Sequence, residues 1–324
     1  MRAVVLRSHG GPEVLTIEQI DDPVPGADQV LVDVVATALN RADLMQRTGR
    51  YPSPEPEPIE VPGLEFSGRV AAVGARVRLW KPGDAVMGIL SGGGYAERVV
   101  IHERQAIGVP AGVDLADGAA IPEVFLTAWD ALVLQGGLMP GRWALISAGA
   151  SGVGTAGIQL CKAMGARVAV TCSARKVAAV RALGVDHVFE RSPHDWLTDA
   201  RAAVPGGFDV ILDVVGGDET NRCLDALALR GRIVQVGTMA GGTPTVNLGV
   251  LMFKRASIVG TVLRARPLEE KIALARRFTA EVVPLFESGA LRPVIDTRFA
   301  FADVAAAHER MAADQNVGKI VLTM

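Results

Sequence analysis

The stretch "WALISAGASGVGTAGIQL", residues 143–160, decides how the chain is read. Its opening, "WALIS", is apolar and β-favouring, and the residues from about Thr155 to Met164 suit a helix. Between them Gly152, Gly154 and Gly157 fit the spacing G-x-G-x-x-G. Placed after a strand and opening a helix, such glycines allow a tight turn and let backbone N–H groups approach a pyrophosphate. Ser151 and Val153 share that turn. This predicts a dinucleotide site.

Working outward, "RVAVTC" (167–172), "DHVF" (186–189), "DVILDVV" (209–215), "GRIVQVG" (231–237) and "SIVGTVL" (257–263) are apolar, β-rich runs. Helix-compatible stretches such as Lys176–Leu183 separate most of them. Alternation at this spacing predicts an α/β unit with a doubly wound parallel sheet. An NAD site usually carries Asp or Glu at the end of its second strand, for the ribose 2′-OH. Here no acidic residue occurs between Asp130 and Asp186, and "RVAVT" runs into "CSARK" instead. The hydroxyl of Ser173 and the cations of Arg175 and Lys176 suit a 2′-phosphate, with Arg191 after the third strand as a further clamp. The expected cofactor is NADPH.

Residues 1 to about 120 have a different texture. Short strand-like runs such as "AVVLR", "QVLVDVVATAL" and "GRVAAVG" alternate with turns such as "PVPGAD" and "KPGD", which predicts a mostly antiparallel β domain. Pro52–Pro58 reads as a surface loop, and the final "VGKIVLTM" as a strand able to rejoin this first domain. The expected division is 1–121, completed by about 289–324, and 122–288.

The totals exclude several classes. The chain has 324 residues, 49% hydrophobic and 21% charged, with a net charge of −2. That offers no electrostatic footprint for nucleic acid. Three dispersed cysteines, Cys161, Cys172 and Cys223, form neither a disulfide framework nor a four-cysteine metal lobe. No run of about 18 apolar residues is present, and the first residues lack a secretory apolar core, so a cytoplasmic location is expected. His9, His102, His187, His194 and His308 are scattered and read as surface or structural residues. No Ser-His-Asp arrangement is visible, and "SGGGYAE" lacks the helix and lysine of a phosphate loop. One carboxylate stands out: Glu65 in "PGLEFSG" (62–68), open to reading as acid, ligand or structural residue.

The blocks "ALNRADLMQRTGRYP", "AAIPEVFLTAW", "ISAGASGVGTAGIQL", "MFKRASI" and "NVGKIVL" resemble the zinc-independent quinone oxidoreductases. These form the ζ-crystallin-like branch of the medium-chain dehydrogenase/reductase superfamily, and the likeness is greatest to its tumour-suppressor-inducible vertebrate members. It spans essentially the whole chain. The resemblance implies a GroES-like β domain plus a Rossmann domain, NADPH-dependent quinone reduction in the interdomain cleft, and a homodimer paired through "ASIVGTVL". It also implies that Asn40 and Leu64 stand where zinc-dependent relatives carry Cys and His, so no metal is expected beside Glu65. By the same likeness Asn40 and Thr127 would lie near the nicotinamide. Ser151, Gly152, Val153 and Gly154 would meet the pyrophosphate, and Ser173, Arg175, Lys176 and Arg191 the 2′-phosphate. Gly237, Thr238 and Leu263 would flank the nicotinamide, and Asn316 would close over the cofactor. Tyr51 and Asn40 are the candidate catalytic residues, Tyr51 matching a pocket aromatic of the branch. Departures are a phosphate-binding loop one residue shorter, Arg191 in place of Tyr, and Met45 where ζ-crystallin has another Tyr. Reduction of activated C=C bonds needs nearly the same site, and an NADPH-binding structural protein of crystallin type is the alternative of another class.

Overall fold

The computed structural model describes residues 1–54, 59–191 and 195–324. Part of the Pro52–Pro58 loop and His194 therefore lie outside the described residues. Along the chain, strands β1 (Arg2–Leu6), β2 (Leu15–Gln19) and β3 (Gln29–Ala38) precede helix α1 (Arg41–Arg47). Strands β4 (Glu65–Val73), β5 (Ala85–Ile89), β6 (Arg98–His102) and β7 (Ile107–Gly108) lead to α2 (Pro122–Trp129). Then β8 (Trp143–Ile146), α3 (Gly152–Ala163), β9 (Arg167–Cys172), α4 (Val177–Arg181) and β10 (His187–Glu190) alternate. The alternation continues through α5 (Trp196–Ala203), β11 (Phe208–Asp213), α6 (Glu219–Ala226), β12 (Leu227–Gln235), α7 (Leu248–Lys254) and β13 (Ser257–Gly260). Helices α8 (Leu268–Glu281) and α9 (Val283–Glu287), strand β14 (Ile295–Ala300), helix α10 (Val304–Ala312) and strand β15 (Lys319–Thr323) follow.

The chain forms two units, one of residues 1–126 with 263–324, the other of residues 127–262. In the first, β14, β15, β3, β4, β5 and β7 are neighbours in that order, with β6 also on β3. Strand β15 runs antiparallel to β3, pairing Val321 with Ala38. Strand β3 shows why the sheet forms: Val30, Val32 and Val34 are buried on one face while Asp33 is exposed, the period of two that a half-buried strand requires. Those valines pack with Phe66, Val70, Val86 and Ile101. Helix α10 packs Val304, Ala307 and Met311 with Val4, Leu39, Tyr95 and Ile320.

In the second unit six parallel strands take the order β10-β9-β8-β11-β12-β13. Its core sets Leu145, Ala169, Ile211 and Ile233 against Trp196, Phe208 and Leu224. Burying each large apolar side chain stabilises by about 1.5–3 kcal/mol.

The observed division departs from boundaries at 121 and 288. Helices α8 and α9 belong with the first unit, and their side chains give the reason. Glu269 pairs with Arg104 at 2.6 Å, Lys271 Nζ donates to Ser91 Oγ at 2.7 Å, and Phe286 meets Phe125 edge-on at 4.8 Å.

Candidate active site

In the second unit, β8 ends at Ile146 and the chain turns through Ala148, which takes the left-handed φ of 55°. Ser151 then caps α3, its Oγ accepting the Gly154 N–H at 3.0 Å. The glycines are required sterically. A Cβ on Gly154 would stand 2.6 Å from the carbonyl oxygens of Ala148 and Gly149, and one on Gly157 would stand 2.8 Å from Ile146 Cδ1. So Gly154 lets the helix start close to the loop and Gly157 lets it lie close to β8. The first N–H groups of a helix have no intrahelical acceptor, and those of Gly152 and Val153 open the same turn.

At the end of β9, Ser173 follows Cys172, and its Oγ is a buried atom with no hydrogen-bond partner among the described residues. Lys176 is buried close by in sequence, while Arg175 and Arg191 are exposed. The Arg191 N–H donates to the Cys172 carbonyl at 3.1 Å, which fixes the end of β10 beside the end of β9. After β12, Gln235 Nε2 donates to the Gly237 carbonyl at 2.6 Å, holding the turn that carries exposed Thr238.

The first unit gathers a buried polar cluster. Asn40 follows β3 and caps α1, Glu65 begins β4, and Lys319 begins β15. Lys319 Nζ donates to Glu65 Oε1 at 2.7 Å, to Asn40 Oδ1 at 2.7 Å and to the Leu39 carbonyl at 2.6 Å. The Lys319 and Glu65 side chains are 3% and 0% exposed. Asn40 Nδ2 donates to Glu65 Oε1 at 2.8 Å and to the Ala38 carbonyl at 3.3 Å. Glu65 Oε2 accepts the backbone N–H of Glu123 at 2.7 Å, so the carboxylate also caps α2. A buried ion pair is tolerable when its remaining lone pairs and protons are satisfied, and here they are.

A second layer adjoins it. Asp43 Oδ2 accepts the Asn40 N–H at 2.8 Å and the Tyr95 hydroxyl at 2.9 Å, and Tyr95 lies edge-on to His308 at 5.8 Å. Burial pushes the Asp43 carboxyl up to about 6. Burial, with Arg47 adding to it, pulls the His308 imidazole down to about 3, so the ring is neutral at pH 7. The Arg264 guanidinium lies 4.7 Å from the Tyr51 ring centroid and donates to the Tyr51 carbonyl at 3.1 Å, Gln46 Oε1 at 3.1 Å and the Ser91 carbonyl at 2.6 Å. Burial raises the Tyr51 phenol above its usual value, and the nearby Glu123 carboxyl adds to this.

Two family descriptions match the chain: an alcohol dehydrogenase GroES-like domain over residues 26–111, and a zinc-binding dehydrogenase over residues 152–281. The quinone oxidoreductase of Lama guanicoe is 32% identical over 100% of this chain and 98% of its own. The chain belongs to the medium-chain dehydrogenase/reductase superfamily. Another member, the synaptic vesicle membrane protein VAT-1 homolog of Homo sapiens, is 31% identical over 99% of this chain and 86% of its own. Among solved structures of the superfamily, the Pseudomonas syringae pv. Tomato DC3000 quinone oxidoreductase superposes with a TM-score of 0.90 at 29% identity, over 100% of this chain and 99% of that one. The JamJ enoyl reductase gives a TM-score of 0.90 at 25% identity, over the same shares. Superfamily members use nicotinamide cofactors, and this chain is an oxidoreductase of that kind.

Zinc, implied by one family description, does not fit the residues present. Asn40 offers an amide whose N–H groups are both engaged, Leu64 is a buried hydrocarbon, and Glu65 is paired with an ammonium. Among the described residues, no group of three or more His, Cys, Asp or Glu is arranged to hold a metal. A nicotinamide cofactor does fit, because the turn at Gly154 is backbone-lined and Ser173 Oγ lacks a partner among the described residues.

The structure places the residues expected at the site in two groups. Ser151, Gly152, Val153, Gly154, Ser173, Arg175, Lys176, Arg191, Gly237 and Thr238 follow strand ends of the second unit, and Thr127 lies on α2. Asn40, Tyr51, Leu263 and Asn316 fall in the first unit, where Leu263 and Asn316 are buried and Asn316 Nδ2 is turned back onto the Gly318 carbonyl at 2.8 Å. Sequence reasoning missed Lys319, Asp43, Tyr95 and Glu123. A usable signal existed for Lys319: a lone cation opening an otherwise apolar strand, "KIVL", must find a buried partner.

Proposed function

We propose that the chain is an NADPH-dependent quinone oxidoreductase working without a metal. The observation that carries this reading is the end of β9, where a buried, unpartnered Ser173 hydroxyl with Lys176, Arg175 and Arg191 stands in place of a ribose-binding carboxylate. A 2′-phosphate would give the Ser173 hydroxyl an acceptor and suits the positive charge of the three cations beside it. Ser151 to Gly154 would hold the pyrophosphate, and Lys176 with the two arginines the 2′-phosphate. The bound cofactor supplies a hydride. Quinones are electrophilic enough to accept it without Lewis-acid help, which matches a site whose carboxylate is neutralised by Lys319. Arg264 orients Tyr51 as the acceptor-facing aromatic. The three cysteines are buried and unpaired, which suits a reducing, cytoplasmic compartment. Edge strand β13 exposes Ile258 and serves homodimer pairing.

A second reading, reduction of C=C bonds conjugated to a carbonyl, is supported by the enoyl reductase likeness. Steady-state oxidation of NADPH and NADH with 9,10-phenanthrenequinone and with a 2-alkenal tests both. Faster quinone turnover, with NADPH preferred, is the expected result. Faster alkenal turnover would move the chain to the double-bond reductases, and an NADH preference would overturn the reading of Ser173 to Arg191.

A further inference from the structure

Reduction of a quinone or enone needs a proton as well as a hydride, and the buried cluster of the first unit narrows where it comes from. Lys319 has all three N–H groups engaged and is 2% exposed. Glu65 has both carboxylate oxygens occupied, by Lys319 and Asn40 on one side and the Glu123 N–H on the other. Asp43 and His308 are fully buried behind Tyr95, and a neutral imidazole with so low a pKa is no acid at pH 7. Glu123 differs from all of them. The residue is partly buried, and its Oε2 is a buried atom with no hydrogen-bond partner among the described residues. It sits in the first turn of α2, anchored over the Glu65 carboxylate by its own N–H, and Thr127 lies one turn farther along the same helix. A carboxyl oxygen left bare in this way is a place for a ligand's oxygen.

We propose that Glu123 is the proton donor of the reaction, a role that rests on the reductase reading above. When the acceptor has taken up the hydride, which brings both electrons, its carbonyl oxygen carries the resulting negative charge. The Glu123 O–H bond breaks, a new O–H bond forms on that oxygen, and the Glu123 carboxylate recovers a proton from water. The surroundings keep the acid loaded. Burial, then the Glu65 carboxylate, push Glu123 up to about 8, with Asp43 adding to the rise and Lys319 and Arg264 opposing it. The Tyr51 phenol, raised above its usual range by burial and by Glu123, stays protonated alongside it. A general acid is most effective with a pKa near the working pH.

The test uses the full-length chain and two readouts. Infrared difference spectra across pH 6–10 should show one protonated carboxyl C=O band lost near pH 8 and missing from Glu123→Gln. In steady state Glu123→Gln should lower kcat by about 100-fold, abolish the fall of kcat above pH 8 and leave NADPH binding unchanged, with Glu123→Asp recovering part of the rate. A missing infrared band, or a variant with wild-type kcat and pH profile, overturns the assignment. A wild-type band with no quinone turnover would instead sink the quinone reading and leave the loaded carboxyl standing.

Discussion

The two polar regions of this molecule are built in opposite ways. The turn at the start of α3 is local: Ser151 caps Gly154 three residues on, and Gly154 clears oxygens no more than six residues back. The cluster around Glu65 is assembled from afar, with Asn40 and Lys319 lying 25 and 254 residues away in sequence. The local region uses backbone and leaves its donors open, as a site for an anionic ligand should. The distant one closes its charges on each other. A turn of the first kind can be lost without loss of the fold, whereas removing one member of the second strands a buried charge.

That contrast sets the order of expected effects. Lys319→Met should cost most, about 3–5 kcal/mol in denaturant unfolding, because Glu65 is left buried without its cation. Lys319→Met combined with Glu65→Gln should recover much of that loss, and a double variant no better than the single would break the comparison. Gly154→Ala comes next. Its Cβ has only backbone to push against, so the loop must shift: dinucleotide affinity should fall at least about tenfold, or about 1.4 kcal/mol, and thermal unfolding should come at a lower temperature as well. Ser173→Ala with Lys176→Ala should weaken NADPH by about tenfold and leave NADH alone. Ser151→Ala should remove about 1 kcal/mol of stability through the lost cap.

A pH dependence comes last because it is absent at pH 7 and grows only as acid is added. His308 has a folded pKa near 3, below its unfolded value, so the unfolded chain binds more protons as pH falls below about 6.5. Stability present above that pH is lost as acid is added. The wild-type minus His308→Phe difference in Tm should therefore shrink steadily from pH 7 toward pH 4, and a difference independent of pH would contradict the neutral buried imidazole.

The same contrast explains what the sequence disclosed. The βα alternation and the Gly152–Gly157 turn were legible because each strand, turn and helix is a contiguous word with its own periodicity. The likeness in "NVGKIVL" drew attention to Asn316, whereas Lys319 in the same block holds the ion pair, and no spacing rule links it to Glu65. Glu123 was invisible as an acid because its character comes from burial and from a carboxylate 58 residues earlier. The observed division differs from 121 and 288 for a related reason: the sequence of α8 and α9 does not say which unit they pack with, and Arg104, Ser91 and Phe125 assign them to the first.

The central claim is that Lys319, and no metal ion, answers the charge of Glu65 during reduction. The most direct measurement is NADPH-dependent turnover of 9,10-phenanthrenequinone by protein dialysed against a strong chelator, with its metal content determined alongside. The account predicts undiminished turnover in metal-free protein and no gain on adding zinc. Activity lost on chelation and restored by zinc would contradict it.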